Sequence, residues 1–222
     1  ARQSRARSLL SLVNERVDRE AEVPRLKAID SFYRQAYRMI DSPEARAAFA
    51  LSKEKPATRE AYGNGAAGMR MLLARRLVEA GVGLVTVPWM YLHSTKNFDT
   101  HDKHFKVMKD LLLPPMDRAF SALIEDMEQR GLLETTMVVA WGEFGRTPKI
   151  NKNAGRDHWP RVSFALLGGG SSNHGQVIGA TDRLAGEPVA RPVKFSELFA
   201  TLYHHLGLDT STATVNDFQG RP

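Results

Sequence analysis

Acidic and histidine side chains fall in three short segments of the sequence. The first holds His93, Asp99, His101, Asp102 and His104, the second Glu143 and Arg146, and the third Arg156, Asp157 and His158. Asp, Glu and His are the ligands expected for Zn²⁺ or Mn²⁺, and the carboxylates would also suit Ca²⁺. Arg146 and Arg156 flank the carboxylates, and guanidinium groups grip phosphate or sulfate in bidentate fashion; internal salt bridging is the alternative use. None of these spacings is diagnostic alone. Asp99-Thr100-His101 could cap a following helix, Glu143 could pair with Arg146, and Asp157-His158 could be an ordinary turn. His204 and His205 read as structural residues of a closing helix, and His174 as solvated in a Gly/Ser/Asn loop. Gly168-Gly169-Gly170 is not a dinucleotide fingerprint and reads as a turn.

The three segments gain meaning from the elements between them. Residues 84–88 form a short β-prone run. Pro114 and Pro115 suit a helix start, Met116, Phe120, Leu123, Ile124 and Met127 give that helix an apolar stripe, and Gly131 ends it. Residues 137–141 are a second apolar strand. Strand, helix, strand at this spacing predicts a right-handed crossover between parallel strands. The connection from 141 to the next strand, 162–167, has no helical pattern, which favours an antiparallel return. Both carboxyl ends of the parallel strands and the start of the antiparallel one would then share one edge, where open α/β sheets bind ligands.

Elsewhere the first third reads as helix. Ile29, Phe32, Tyr33, Ala36, Tyr37 and Ile40 mark one buried face. Pro43 can start the next helix, 53–65 reads as a linker or loop, and Met69, Leu72, Leu73, Leu77 and Ala80 mark another helix ended by Gly81. Residues 176–179 suggest a further short strand. Ser196 is a candidate cap for a last helix, with Phe199, Leu202, Tyr203 and Leu206 inward and Gly207 closing it. The expectation is a single α/β domain over 1–222, with a helical region at 1–66 and an α/β core at 67–222.

At 222 residues, with 42% hydrophobic and 25% charged residues, the chain has the composition of a globular protein with a core. No apolar run approaches the ~20 residues that span a membrane, and no leader is visible after Ala1. The absence of cysteine excludes disulfides, thiolate zinc sites and a cysteine nucleophile. Arg2, Arg5, Arg7, Arg16 and Arg19 contribute to a net charge of +6, but no aromatics interleave with them. They read as a solvated helix face rather than a nucleic-acid surface.

Four stretches together resemble the bacterial family known only as domain of unknown function 1501. They are Leu73-Ala74-Arg75-Arg76-Leu77-Val78-Glu79-Ala80-Gly81, Asp99-Thr100-His101, Gly142-Glu143-Phe144-Gly145-Arg146-Thr147-Pro148 and Gly155-Arg156-Asp157-His158-Trp159-Pro160. Gly175-Gln176-Val177-Ile178-Gly179-Ala180-Thr181-Asp182 and His204-His205-Leu206-Gly207 also match. One departure is Phe98, where the family usually has tryptophan. The resemblance implies an alkaline-phosphatase-like fold, a mostly parallel sheet flanked by helices with an antiparallel strand. It also implies a divalent metal, zinc or manganese before calcium, held by Asp99, His101, Glu143 and His158, with Asp157 a ligand or a group orienting His158. Metal-dependent hydrolysis of a small phosphate or sulfate ester is the implied chemistry; a non-catalytic extracytoplasmic binding or assembly protein is the alternative. The family pattern begins upstream of Ala1, with a leader resembling a twin-arginine export signal and an early strand carrying the nucleophile, and continues past Pro222. The chain is therefore expected to be a fragment of an extracytoplasmic, periplasmic or secreted, protein.

Overall fold

The computed structural model describes residues 33, 42–89, 97–170, 172–215, 217, 219 and 221. The chain divides into two compact units, 1–50 and 51–222. In the first, the expected helix at 29–40 lies outside the described residues except for Tyr33, which is helical. Helix α1, Pro43–Ala48, starts at Pro43 as its sequence predicts, and the Ser42 hydroxyl caps it by accepting from the Ala45 N–H at 3.2 Å.

In the second unit, the stretch read as a loop at 53–65 is largely helical. A 3₁₀ turn, Leu51–Lys53, leads into α2, Pro56–Tyr62. Pro56 begins this helix rather than breaking one, because the first helical turn needs no N–H from it. Helix α3, Ala66–Glu79, follows the predicted periodicity. The α2 and α3 helices pack on α5, Leu113–Gln129. Their shared core is Tyr62, Met71, Leu72, Ala119, Ala122, Leu123 and Met127, with Val138 packed against it. Helical structure begins before the predicted start at Pro114: α4, His104–Val107, passes through a π turn, Met108–Leu112, into α5. The two prolines supply no N–H to the carbonyls of Asp110 and Leu111, and the chain widens just before them, the Leu113 N–H reaching back to Met108 O.

Arg75 is buried inside this helical layer at 1% exposure. Its Nη2 lies 2.6 Å from Glu54, its Nη1 2.6 Å from Glu79 and its Nε 2.8 Å from Asp126. The Tyr62 hydroxyl donates to Asp126 at 2.9 Å. Burial pushes the Asp126 carboxyl up, but the hydrogen bonds from Arg130 and Tyr62 and the charges of Arg75 and Arg130 outweigh it and hold it below its ordinary value. Glu54 behaves likewise: burial raises it, and Arg75, Arg130 and Arg76 bring it down.

Strand β1, Met137–Trp141, forms as predicted. Short strands β2, Gly145–Arg146, and β3, His158–Trp159, precede β4, Ala165–Gly169. The β4 strand returns antiparallel to β1, with Met137 opposite Gly169 and Trp141 opposite Ala165. It starts three residues later and ends two residues later than the expected 162–167, and Gly168 and Gly169 belong to it instead of forming a turn. The parallel sheet is not there: among the described residues each sheet is an antiparallel pair, β1–β4, β2–β3, and β5, Ala180–Thr181, with β6, Pro188–Ala190. Among the described residues, 84–88 have no ladder partner, Leu84 is 78% exposed, and the Pro88 carbonyl accepts from Arg70 Nη1. Pro88 has no N–H to give a ladder. The strand expected at 176–179 is displaced into β5, with Val177 and Ile178 exposed.

Helix α6, Phe195–His205, begins one residue before Ser196, so Ser196 is not its cap; the Glu197 carboxylate accepts from the Lys194 N–H instead. Phe199, Tyr203 and Leu206 are 40%, 41% and 52% exposed rather than inward. A two-stranded sheet is too narrow to cover this helix, and its rings meet each other and Trp141.

Replacing Arg75 by Met strands partly buried carboxylates, and a loss of about 3–5 kcal/mol is expected in urea unfolding. Glu54 and Asp126 have lowered folded-state values. Their contribution to stability is therefore full above the ordinary carboxylate range near pH ~4 and is lost as pH falls through the folded values. The acid-side decline in stability should flatten in Arg75→Met.

Candidate metal centre

Two loops meet along their backbones to make the site. The 97–104 segment, ahead of α4, receives the 151–156 segment, which leads into β3. The Arg156 N–H donates to Thr100 O at 3.1 Å, the Lys103 N–H to Asn153 O at 3.0 Å and the His104 N–H to Ala154 O at 2.9 Å. Lys103 and Ala154 both take left-handed conformations, φ +47° and +55°, a cost of ~1–2 kcal/mol for each non-glycine residue. Gly155 is needed for this approach. A Cβ there would stand 1.8 Å from His101 O. Asn151 ties the junction: its amide donates to His101 O and to the Asp157 carboxylate, both at 3.0 Å, and its oxygen accepts from the Asn153 and Gly155 N–H groups.

The β2–β3 ladder adds the third component. Arg146 stands directly opposite His158, so both side chains leave the same face of the pair. Gly145 keeps the turn close, since a Cβ there would lie 2.1 Å from Val162 O.

The result is a triangle of three ligand atoms. His101 Nε2 lies 3.0 Å from Asp99 Oδ1 and 3.1 Å from His158 Nε2, and His158 Nε2 lies 2.8 Å from the same Asp99 oxygen. His101 Nδ1 is 2.8 Å from Asp157 Oδ1. An ionised carboxylate only accepts, so this contact puts the ring proton on Nδ1 and turns the Nε2 lone pair into the triangle. A neutral His101 would thus face its lone pair at the Asp99 oxygen, a repulsive contact that a bound cation resolves. The edges approach the ~3.3 Å separation of donors around a tetrahedral ion with ~2.0 Å bonds. Two imidazoles and one carboxylate fit a divalent ion such as zinc, and the triangle's exposure leaves a fourth position for an outside group. The three side chains are 44–48% exposed.

Arg146 already faces the triangle. Its Nη2 donates to Asp99 Oδ1 at 2.6 Å. The His158 hydrogen bond, then Arg146, pull the Asp99 carboxyl down to about 2. Hydrogen bonds from His101 and Asn151 lower Asp157. His104 points away, with Nδ1 2.5 Å from the buried Thr100 hydroxyl. Burial, followed by the charges of Arg156 and Arg146, lowers its value below that of a free imidazole.

Of the residues singled out in the sequence, Asp99, His101 and His158 form the triangle. Asp157 lies outside it and orients His101, not His158. Glu143 is exposed just past β1 and is not in this group. Arg156 donates to Thr147 O at 2.6 Å and Pro148 O at 3.0 Å, with its guanidinium over the Phe105 ring. His93 lies outside the described residues. Asn151, Gly155 and Phe144, whose ring is 4.2 Å from that of His158, have no role in the site as read from the sequence, although Gly155 and Phe144 lie in the family-like stretches. Asn and Gly in Asn151-Lys152-Asn153-Ala154-Gly155 signal only a turn.

Fold and site together define a mixed α/β protein with a histidine–carboxylate cluster at a loop junction whose three ligand atoms could hold a cation. The whole chain, residues 1–222, matches the family described as Protein of unknown function (DUF1501), and it belongs to that family. No curated protein and no solved structure matches it.

Zinc affinity, read by chelator competition, should fall about 10–100-fold in Asn151→Ala, which frees the Asp157–His101 pair that orients a ligand. Gly155→Ala should lose at least as much, with the helical signal of α3 and α5 retained in far-UV circular dichroism. Unchanged affinity in both variants would mean that the loop junction does not build the site.

Proposed function

We propose that this chain carries the metal-holding part of a hydrolase acting on small phosphate or sulfate esters, of the alkaline phosphatase and sulfatase kind. The observation that carries the reading is the Asp99–His101–His158 triangle with Arg146 beside it: a cation site and an anion-binding fork on one exposed surface. Imidazole donors favour zinc or manganese over calcium. A divalent ion held there supplies Lewis acidity toward an ester oxygen and makes a hydroxyl or water more acidic. Asp157 holds the His101 tautomer, Arg146 orients the anionic group, and Phe144 flanks His158. In this reading Glu143 would serve as an added ligand, and Arg156 would add positive potential from its place in the loop. This reading also puts the protein outside the cytoplasm.

One observation favours a second reading, a non-catalytic binding or assembly protein that uses the metal structurally. Among the described residues, two loop hydroxyls beside the site are committed: Thr100 to His104, and Thr147 to Lys149 O and the Asp157 N–H. Reading and alternative separate in one experiment on the longest natural form of the protein. Elemental analysis should find stoichiometric zinc or manganese that is lost in the His101→Ala, His158→Ala double variant. Hydrolysis of p-nitrophenyl phosphate or sulfate should stop with chelator and return with metal. Metal without turnover on either ester would select the binding reading, and a folded protein free of metal would contradict both.

A further inference from the structure

The Asp99 oxygen that completes the ligand triangle also holds Arg146 at 2.6 Å, so the guanidinium and a divalent ion would compete for its electron density. We propose that Arg146 is an exchangeable counter-cation. It neutralises Asp99 while the triangle is free of metal, leaves that oxygen when a divalent cation takes the three ligand atoms, and then presents its fork to an anionic group on the metal's open side. This rests on the metal-site reading above and assigns Arg146 two successive partners.

Three features support the exchange. The side chain is 20% exposed at a half-exposed site, so it has solvent to move into. Its second anchor is weak: Nη1 reaches Arg156 O at 3.4 Å, and its guanidinium carbon lies 5.9 Å from the centre of the Phe144 ring. Its backbone is fixed opposite His158 by the β2–β3 register, so the guanidinium can leave Asp99 without leaving the site. Arg156 cannot do the same, because its guanidinium is tied to Thr147 O and Pro148 O. The exchange makes metal and anion binding cooperative: metal frees the arginine, and the anion keeps it away from Asp99.

The test measures zinc affinity by competition with a chromophoric chelator, and inorganic phosphate affinity of the zinc-loaded protein by calorimetry. Wild type, Arg146→Gln, Arg146→Lys and, as a charge-loss control, Arg161→Gln are compared. Arg161 pairs with Glu187 outside the triangle. Arg146→Gln removes both a competitor for Asp99 and a nearby positive charge. Its zinc affinity without phosphate should rise about tenfold, while its phosphate affinity falls about tenfold or more. Arg146→Lys keeps the charge but loses the fork. It should bind zinc within about threefold of wild type and phosphate more weakly. If Arg146→Gln does not fold, the Arg146→Lys comparison carries the test. Arg161→Gln should change neither value.

Opposite shifts in the two affinities support the exchange, because a merely structural role would weaken both. Zinc affinity unchanged or reduced in a folded Arg146→Gln overturns it, as does unchanged phosphate affinity. Wild type that takes up no zinc at all fails the metal-site reading itself, and the inference falls with it.

Discussion

The site depends on one close approach, the passage of the Gly155 backbone against the carbonyl of His101. Without a side chain at 155, the two loops exchange backbone hydrogen bonds as if they were short strands, and Asn151 closes the remaining gaps with its amide. Everything that bears chemistry is referred to this junction. His101 is aimed by Asp157 from the opposite loop, His158 leaves the ladder immediately after that loop, and Asp99 receives both. Two left-handed non-glycine residues at the contact show that the local backbone is held where it would not rest by itself, a cost the surrounding hydrogen bonds offset.

The helical layer supplies the rigid side of this arrangement. Arg75, enclosed by Glu54, Glu79 and Asp126, locks α3 to α5 and to the turn before α2, and the Tyr62 hydroxyl ties α2 to the same carboxylate. Helix α5 then runs directly from the 97–104 segment through the π turn, so the position of Asp99 and His101 follows from the packing of a buried helix. On the other side β1 packs Val138 onto the same core and delivers the chain to β2. The ligand-bearing loops are thus both rooted in elements that share one apolar interior. Their tips are half-exposed, as a site that exchanges ligands requires.

The sequence made the helices at 66–79 and 113–129 legible through their apolar spacing, and the strand at 137–141 through its unbroken apolar run. The antiparallel return was readable from the lack of a helical pattern between residues 141 and 162. It did not disclose α2, because Pro56 and Gly63 read as breakers when they in fact start and end a helix. Nor did it foresee that 84–88 would lack a partner: β-prone composition describes a strand's own residues, not the neighbour that must bond to it. The stripe of Phe199, Tyr203 and Leu206 was legible as a helix face, but its exposure depends on the width of the sheet beneath. Within the site, Asp99, His101 and His158 stood out by residue type. Their meeting was expected from parallel strands ending at one edge, whereas it follows from the loop junction and the Arg146–His158 register. Asn151 and Gly155 carried no chemical signal, since their work is geometric and appears only when the two loops are seen together.

The central claim is that His101 and His158, with Asp99, present their inward atoms to one divalent ion. X-ray absorption at the zinc edge on protein loaded with one equivalent of zinc measures this most directly. The account predicts a first shell of low-atomic-number donors at about 2.0 Å, with outer-shell scattering from two imidazole rings that drops to one ring in either His101→Ala or His158→Ala. A spectrum lacking imidazole scattering, or one unchanged by both substitutions, would contradict it.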